Sequence, residues 1–404
     1  MKMIRNESRL KLLNYNVVSM KFLRIMNYSV VLIVISCLLV SFCLAEEIHN
    51  LNGLFTNPKI LMFAPVPVQY VIDNVNYWAD SLSLDGFIIG NVCTWYSTQI
   101  ELEEKTVIIA EFNRICKEHS IKYNFLKIAL GYREFPIWTD SLKIQLQLEK
   151  FAFIADWAKK VGFYGIAFDT EPYTVSLWNP DDERFKLIPE KELTDDIYEF
   201  SKKLSYAIIS NYRDCSVIIL PEGEYFEQKK FDKGYSLWNY FFEGLNGGDL
   251  SEIIVGCEMT YKITNPAKIE KYNSELLEAF NSDYWEKGKL VKNIKFTFGS
   301  WPLGFYKNVK IPSTGKRIFL NKNLKKMKNS YGDKSPNYTP EEFETQLEEF
   351  RKYSPEWIWI YAHGASWWQL DTLKYENIWN PENQSLPVCE DFQEYIKILS
   401  DIYE

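Results

Sequence analysis

The chain has 404 residues, of which 47% are hydrophobic and 25% are charged, and its formal net charge is −8. A chain of this size and composition can bury a large core, which excludes a disordered chain and a small disulfide-stapled domain. Its acidic balance argues against a nucleic-acid partner.

Residues 1–45 are predicted to be an N-terminal extension and secretory signal segment. Lys21 and Arg24 precede the apolar stretch Val30–Val40, and the small residues Cys43-Leu44-Ala45 form a cleavage site. The apolar run is short for a membrane span. We therefore expect a secreted or cell-envelope protein that contacts a membrane only if the signal stays uncleaved or is lipidated.

Residues 46–404 are predicted to form one catalytic domain. Without the leader the chain has 40 basic and 53 acidic residues, a net charge of −13. Its five cysteines are scattered, and its three histidines include no ligand-spaced pair, which argues against a disulfide scaffold and a zinc cluster. We expect a monomer that needs neither a metal nor another cofactor.

Apolar β-rich runs alternate with amphipathic helical patterns along this domain. The strands are predicted at Ile60–Pro67, Gly86–Asn91, Phe125–Gly131, Tyr164–Glu171, Ser216–Glu222, Glu252–Glu258, Ile294–Ser300 and Trp357–Ala362. The helices are predicted at Val68–Ser81, Glu103–Glu118, Ser141–Val161, Lys191–Asn211, Leu237–Gly244, Pro266–Phe280, Pro340–Tyr353 and Cys389–Ile402. Eight such units predict parallel strands closed into a (β/α)8 barrel. A doubly wound sheet is the alternative, but no glycine-rich phosphate loop follows the first strand.

The fourth predicted strand carries the most informative pattern in the chain. Because side chains alternate between the faces of a strand, one face begins with the small residues Gly165 and Ala167. The same face ends with the acids Asp169 and Glu171. Two neighbouring carboxylates repel each other, which leaves one able to hold a proton while the other is an anion. A proton donor beside an anion is the equipment of glycoside hydrolysis.

Further candidates follow the other strands, where the active site of a barrel lies. Glu258 and Glu222 are the second-rank candidates for the catalytic partner, and a scheme with Asp169 as nucleophile uses either of them. The chain also has 13 Trp, 26 Tyr and 26 Phe, and aromatic faces stack on sugar rings. The predicted substrate-binding residues are Tyr173, Glu224, Tyr261, Trp301, His363, Trp367 and Trp368. Structural roles as core, capping or loop residues are the alternative for each.

Two segments resemble a known enzyme family. The run from Gly165 to Glu171 is similar to the strand-four signature of the family 18 chitinase-like glycoside hydrolases, which ends in Asp-x-Glu, and Met259-Thr260-Tyr261 is similar to their Met-x-Tyr. The resemblance implies that Glu171 is the general acid and that Asp169 orients a substrate N-acetyl group held by Tyr261.

These patterns together predict a secreted TIM-barrel glycoside hydrolase with a carbohydrate substrate. Glu171 is the expected acid/base, and Asp169 is the expected stabiliser of the oxocarbenium-like transition state. Two alternatives stay open: a catalytically inactive barrel that binds glycan, and another hydrolase or lyase on the same scaffold.

Overall fold

A computed structural model describes residues 57–64, 66–131, 138–171, 177–222, 236–281, 294–303, 338–354, 356–362, 367 and 392–402. Eight parallel strands in this part of the chain close into a barrel in sequence order. The strands are β1 Lys59–Ala64, β2 Gly86–Ile89, β3 Phe125–Ala129, β4 Gly165–Asp169, β5 Ser216–Leu220, β6 Glu252–Cys257, β7 Ile294–Ser300 and β8 Trp357–Tyr361. The barrel closes where β1 pairs with β8, and Leu61 lies opposite Trp359 in that pairing. The predicted (β/α)8 barrel is confirmed.

Helices follow the strands as expected. They are α1 Val68–Asp73, α2 Gln99–Glu118, α3 Ser141–Lys160, α4 Glu190–Asn211, α5 Trp238–Asn246, α6 Pro266–Asn281, α7 Pro340–Tyr353 and α8 Phe392–Asp401. A π-helical turn at Tyr77–Ser81 and a 3₁₀ turn at Met259–Lys262 add to them. Helix α2 begins four residues earlier than predicted because Thr98 and Glu101 form a capping box.

The described helices and cysteines bear on two expectations from the sequence. No helix in the described ranges is both long and apolar enough to cross a membrane, and the predicted signal segment lies outside those ranges. The four described cysteines, Cys93, Cys116, Cys215 and Cys257, are free and buried. The fifth, Cys389, lies outside the described residues.

The barrel interior is filled mainly by aromatic and aliphatic side chains, and small residues on β4 make room for them. An ideal Cβ at Gly165 would lie 2.1 Å from the Ser216 carbonyl oxygen and 2.7 Å from the Phe125 ring. Beside it, Ala167 contributes to the interior cluster. On the opposite face of β4, Phe168 packs against Phe151 of α3 with ring centroids 5.8 Å apart. This confirms the predicted division of the strand into an inner and an outer face.

The close approach at Gly165 yields a stability prediction. Gly165→Ala is expected to destabilise the fold by roughly 1–3 kcal/mol, because backbone of the next strand must move. At the comparison site, Gly90→Ala, the three atoms nearest the new Cβ all belong to the Lys127 side chain, the first at 3.2 Å, and none is backbone. That variant is expected to change stability by about 1 kcal/mol or less. Urea unfolding of both variants measures the difference, and equal stabilities would contradict this account of the β4–β5 contact.

Candidate active site

Asp169 lies at the end of β4 inside the barrel mouth and is 2% exposed. One of its carboxylate oxygens, Oδ2, forms an ion pair with Nζ of Lys127 on β3. Its other oxygen, Oδ1, accepts a hydrogen bond from the backbone N–H of Glu171 at 3.2 Å. The predicted acid is therefore present at the mouth, but both of its oxygens already have partners within the protein.

Lys127 is a site residue that the sequence analysis missed. It stands in the middle of Phe-Leu-Lys-Ile-Ala, and its side chain is 12% exposed. A charge within a short buried strand is costly unless it is paired, so its position in the pattern was a usable signal.

Thr170, between the two acids of β4, is anchored on the outer side of the barrel. Its hydroxyl donates to the Leu220 carbonyl at 2.9 Å and accepts from the Trp238 indole at 3.0 Å. The Trp178 indole donates to its carbonyl oxygen at 2.6 Å. Thr170 is completely buried. These bonds hold the strand end in one orientation, with the side chain of Asp169 on the inner face.

Removing the Thr170 hydroxyl tests this anchor. Thr170→Val is expected to destabilise the protein by about 1–3 kcal/mol, because the buried Trp238 indole N–H loses its acceptor. Thr170→Ser keeps the hydroxyl and is expected to lose only about 0.8 kcal/mol for one methyl group. Thermal unfolding compares the two variants. If serine proves as harmful as valine, packing rather than hydrogen bonding holds the strand end.

Glu258 follows β6 and is partly exposed at the mouth. Its pKa is raised well above the ordinary value, chiefly by burial, and the charge of Glu171 and then that of Glu222 add to this effect. Asp169 acts in the same direction, whereas the ammonium group of Lys127 opposes it. The acids at the ends of β4 and β5 are therefore close enough for their charges to act on Glu258 after β6.

Glu222, the second candidate partner, is 2% exposed and fully engaged. Its Oε2 accepts from the backbone N–H of Glu258 at 2.8 Å. Its Oε1 accepts from the Met259 N–H at 3.0 Å and from the Tyr272 hydroxyl at 2.8 Å. Burial raises the pKa of Glu222, and these donors partly offset that effect. The geometry favours a role in holding the β6 terminus over a role in contacting substrate.

Tyr261 stands on the 3₁₀ turn after β6, on an aromatic side of the mouth. Its ring stacks on Tyr361 with centroids 5.3 Å apart and planes inclined by 10°. Trp301 meets it edge-on at 5.9 Å. Burial raises the pKa of Tyr261 well above its usual value, and the charge of Glu258 adds to this. The Tyr261 hydroxyl has no hydrogen-bond partner among the described residues.

Gln346 of α7 holds the 3₁₀ turn in place through hydrogen bonds. The sequence analysis did not identify this residue. The side-chain amide of Gln346 donates to the Thr260 carbonyl at 3.0 Å, and Ser300 donates to its amide oxygen. Thr260 in turn donates to the Gly299 carbonyl at 2.8 Å. This network ties the residues beside Tyr261 to the end of β7.

Trp367 does not fit its predicted role at the site. It is completely buried among outer-layer side chains, with Phe343 of α7 at 6.2 Å and Phe392 of α8 at 6.0 Å between ring centroids. A ring enclosed by helices offers no face to a sugar, so the prediction of substrate contact is corrected to one of core packing.

Four other predicted substrate-binding residues, Tyr173, Glu224, His363 and Trp368, lie outside the described residues. Among the residues that are described, no group of three His, Cys, Asp or Glu side chains is arranged to hold a metal ion.

Neither a protein-family model nor a curated protein matches this sequence. Solved structures that resemble it include an endo-1,4-beta-mannanase from Rhizomucor miehei, with 10% identity, 86% of this chain and 95% of that chain covered, and a TM-score of 0.47. A D-psicose 3-epimerase from Clostridium cellulolyticum H10 has 12% identity, 85% and 97% coverage and a TM-score of 0.41. A GH18 chitinase from Pseudoalteromonas aurantia has 13% identity, 75% and 93% coverage and a TM-score of 0.38. The similar structures thus include both hydrolases and an epimerase. At these identities and TM-scores they assign neither a family nor an activity to this chain.

Proposed function

We propose that the protein is a secreted glycoside hydrolase in which Glu258 and Glu171 form the catalytic pair. The observation that carries this proposal is the position of Glu258 directly after β6, where the negative charge of Glu171, two residues after β4, acts on it. Burial and the neighbouring negative charges, that of Glu171 first among them, raise the pKa of Glu258. Two interacting acids that titrate as a pair can hold one proton between them, which supplies a donor and an anion at the same pH.

The electrostatics favour Glu258 as the proton donor. A glycosidic oxygen must gain a proton as its bond to the anomeric carbon breaks, and a carboxyl that keeps its proton towards neutral pH can supply it. The sequence alone favoured Glu171 as the acid, with Glu258 as a second-rank partner. The surroundings of Glu258 instead support Glu258 as the acid and Glu171 as its partner.

Glu171 is then the anionic partner. It acts on the anomeric carbon directly if the two carboxyl groups are about 5 Å apart, and through a water molecule if they are about 6.5–9.5 Å apart. Asp169 contributes charge beside them while it remains paired with Lys127. None of these steps requires a cofactor.

The aromatic side of the mouth supports a carbohydrate substrate. Phe63 and Tyr361 keep partial exposure there, whereas Tyr261 and Trp301 are only 6% and 7% exposed. Sugar rings stack their apolar C–H faces on accessible aromatic rings. We therefore assign the contact with sugar to Phe63 and Tyr361. Tyr261 and Trp301 pack around Tyr361 and support its ring.

A product assay tests the activity. Residues 46–404 are incubated with β-mannan, xylan, cellulose, galactan and chitin oligosaccharides, and the products are analysed by mass spectrometry and for new reducing ends. We expect saturated fragments with new reducing ends from at least one glycan. Unsaturated fragments would indicate a lyase. Binding without cleavage across the panel would indicate a glycan-binding barrel.

A further inference from the structure

Lys127 is an inward-facing lysine at the catalytic end of the barrel, and its side chain is held from three strands. Its ammonium nitrogen pairs with Asp169 of β4 and lies 4.9 Å from the ring centroid of Phe63 on β1. Its stem packs across the backbone that follows β2, where a Cβ on Gly90 would approach it to 3.2 Å. A long, flexible side chain is thereby confined to one position, in which the ion pair and a cation–π contact offset its burial.

The contacts continue from Lys127 to a proposed catalytic residue. Oδ2 of Asp169 meets the ammonium group, and Oδ1 accepts from the backbone N–H of Glu171 at 3.2 Å. Displacement of the Asp169 carboxylate would break this hydrogen bond and release the backbone N–H of Glu171, the first residue beyond the Thr170 anchor. The anchored Thr170 between them leaves little other freedom at this strand end.

We propose that Lys127 is a positioning residue: it holds Asp169 against β3 and, through Asp169, fixes Glu171 relative to Glu258. On this view Asp169 does not act on the substrate, which departs from its expected role as a transition-state stabiliser. The inference rests on the proposed function, because it assigns the catalytic pair to the same two glutamates.

The charges around Glu258 provide an independent signature. Glu171, Glu222 and Asp169 all raise the pKa of Glu258, and Lys127 lowers it. Tyr261, on the 3₁₀ turn that follows Glu258, is a further titratable group that interacts with it. Removal of the charge on Asp169 should therefore shift the Glu258 titration to lower pH. Removal of Lys127 in that background should shift it back to higher pH.

The experiment is a double-mutant cycle with Lys127→Met, Asp169→Asn and the double variant. Because both residues act along one chain of contacts, we expect each single variant and the double variant to lose a similar factor in kcat, roughly 10²-fold for a misplaced catalytic group. The basic limb of the kcat/KM profile should move to lower pH in Asp169→Asn and back to higher pH in the double variant. The double variant removes both charges and so guards against misfolding caused by one unpaired charge.

Lys59→Met is the matched control. Lys59 belongs to β1, and its ammonium nitrogen lies 4.5 Å from the ring of Trp357, at the opposite end of the barrel from Asp169. Its removal should leave the pH profile unchanged. Losses that multiply in the double variant, or a folded Lys127→Met enzyme with the original kcat, would overturn the proposal.

A second readout does not need hydrolysis. Carboxyl ¹³C NMR of glutamate-labelled protein follows the titration of Glu258, which is assigned by the missing signal in Glu258→Gln. If no glycan is cleaved but the titration shifts in the two expected directions, the proposed function fails and the electrostatic placement of Lys127 stands. If the titration of Glu258 is the same in all three variants, the positioning proposal fails whether or not the protein is a hydrolase.

Discussion

Glu258→Gln is expected to lower kcat/KM for an unactivated glycoside by about 10²–10⁴-fold, because a glutamine cannot transfer a proton to the departing oxygen. The loss should be much smaller for an aryl glycoside whose leaving group departs without a proton. Steady-state kinetics on the two substrates measure this difference. Equal losses on both substrates would mean that Glu258 is not the acid.

The pH dependence of the unmodified enzyme follows from the same assignment. Since Glu258 must be protonated and its pKa is raised, activity should persist above the ordinary glutamate range of about 4.3 and fall as pH rises through the raised value. The remaining activity of Glu258→Gln should lack this basic limb. A limb of unchanged position in the variant would assign it to another group.

Stability should change in the opposite direction from activity. A carboxyl with a raised folded-state pKa favours the protonated native state, so stability falls with pH from the unfolded pKa up to the folded one. Glu258→Gln removes this loss and is expected to unfold at a higher temperature at pH 7. The gain should disappear below about pH 4, where both states of the unmodified protein are protonated. Glu344→Gln, at an exposed glutamate on α7, serves as the control and should show no such gain.

Glu171→Gln is the second substitution with a large expected effect, a loss of about 10²–10⁴-fold in kcat/KM. An activated aryl glycoside should not restore full turnover, because the missing group acts on the anomeric carbon. The charge of Glu171 raises the pKa of Glu258, so the basic limb of the remaining activity should move to lower pH. Kinetics across a pH series measure both effects.

Chemical rescue sharpens the assignment of Glu171. In Glu171→Ala, azide can occupy the space of the carboxylate and attack the anomeric carbon. A glycosyl azide of anomeric configuration opposite to that of the substrate would identify Glu171 as the nucleophile of a retaining mechanism, whereas a glycosyl azide of retained configuration would identify it as the acid/base. Turnover of Glu171→Ala equal to that of the unmodified enzyme without azide would remove Glu171 from the catalytic pair.

The strand-four pattern shows how far local sequence carries the site. Alternation of small and acidic residues was enough to place Asp169 inside the barrel, because side-chain direction in a strand has a period of two. The same pattern could not reveal the ion pair with Lys127, which is 42 residues away in sequence. The assignment of the acid role to Glu171 therefore lacked the information about charges on β3 and β6.

Trp367 illustrates the opposite failure. A tryptophan after the eighth strand looks the same in sequence whether its ring faces a substrate or packs under a helix. The contacts of Trp367 with α7 and α8 show that its ring packs under helices. The sequence pattern around Trp367 could not show this, because α7 precedes β8 in the chain and Trp367 follows it. The role of Thr170 was also not evident from the sequence, since it depends on the indole groups of Trp178, eight residues away, and of Trp238, 68 residues away.

The sequence by itself determined the class of fold, since eight alternations of apolar strands and amphipathic helices bury their faces in a parallel sheet covered by helices, and the missing glycine-rich phosphate loop favoured the closed barrel over a doubly wound sheet. It also determined which acids stand at the strand ends. Only the tertiary structure decided which of those acids are coupled, which are already bonded and which ring faces are covered. The physical reason is that pKa values and accessibility depend on neighbours within a few ångströms, and folding brings those neighbours from all along the chain.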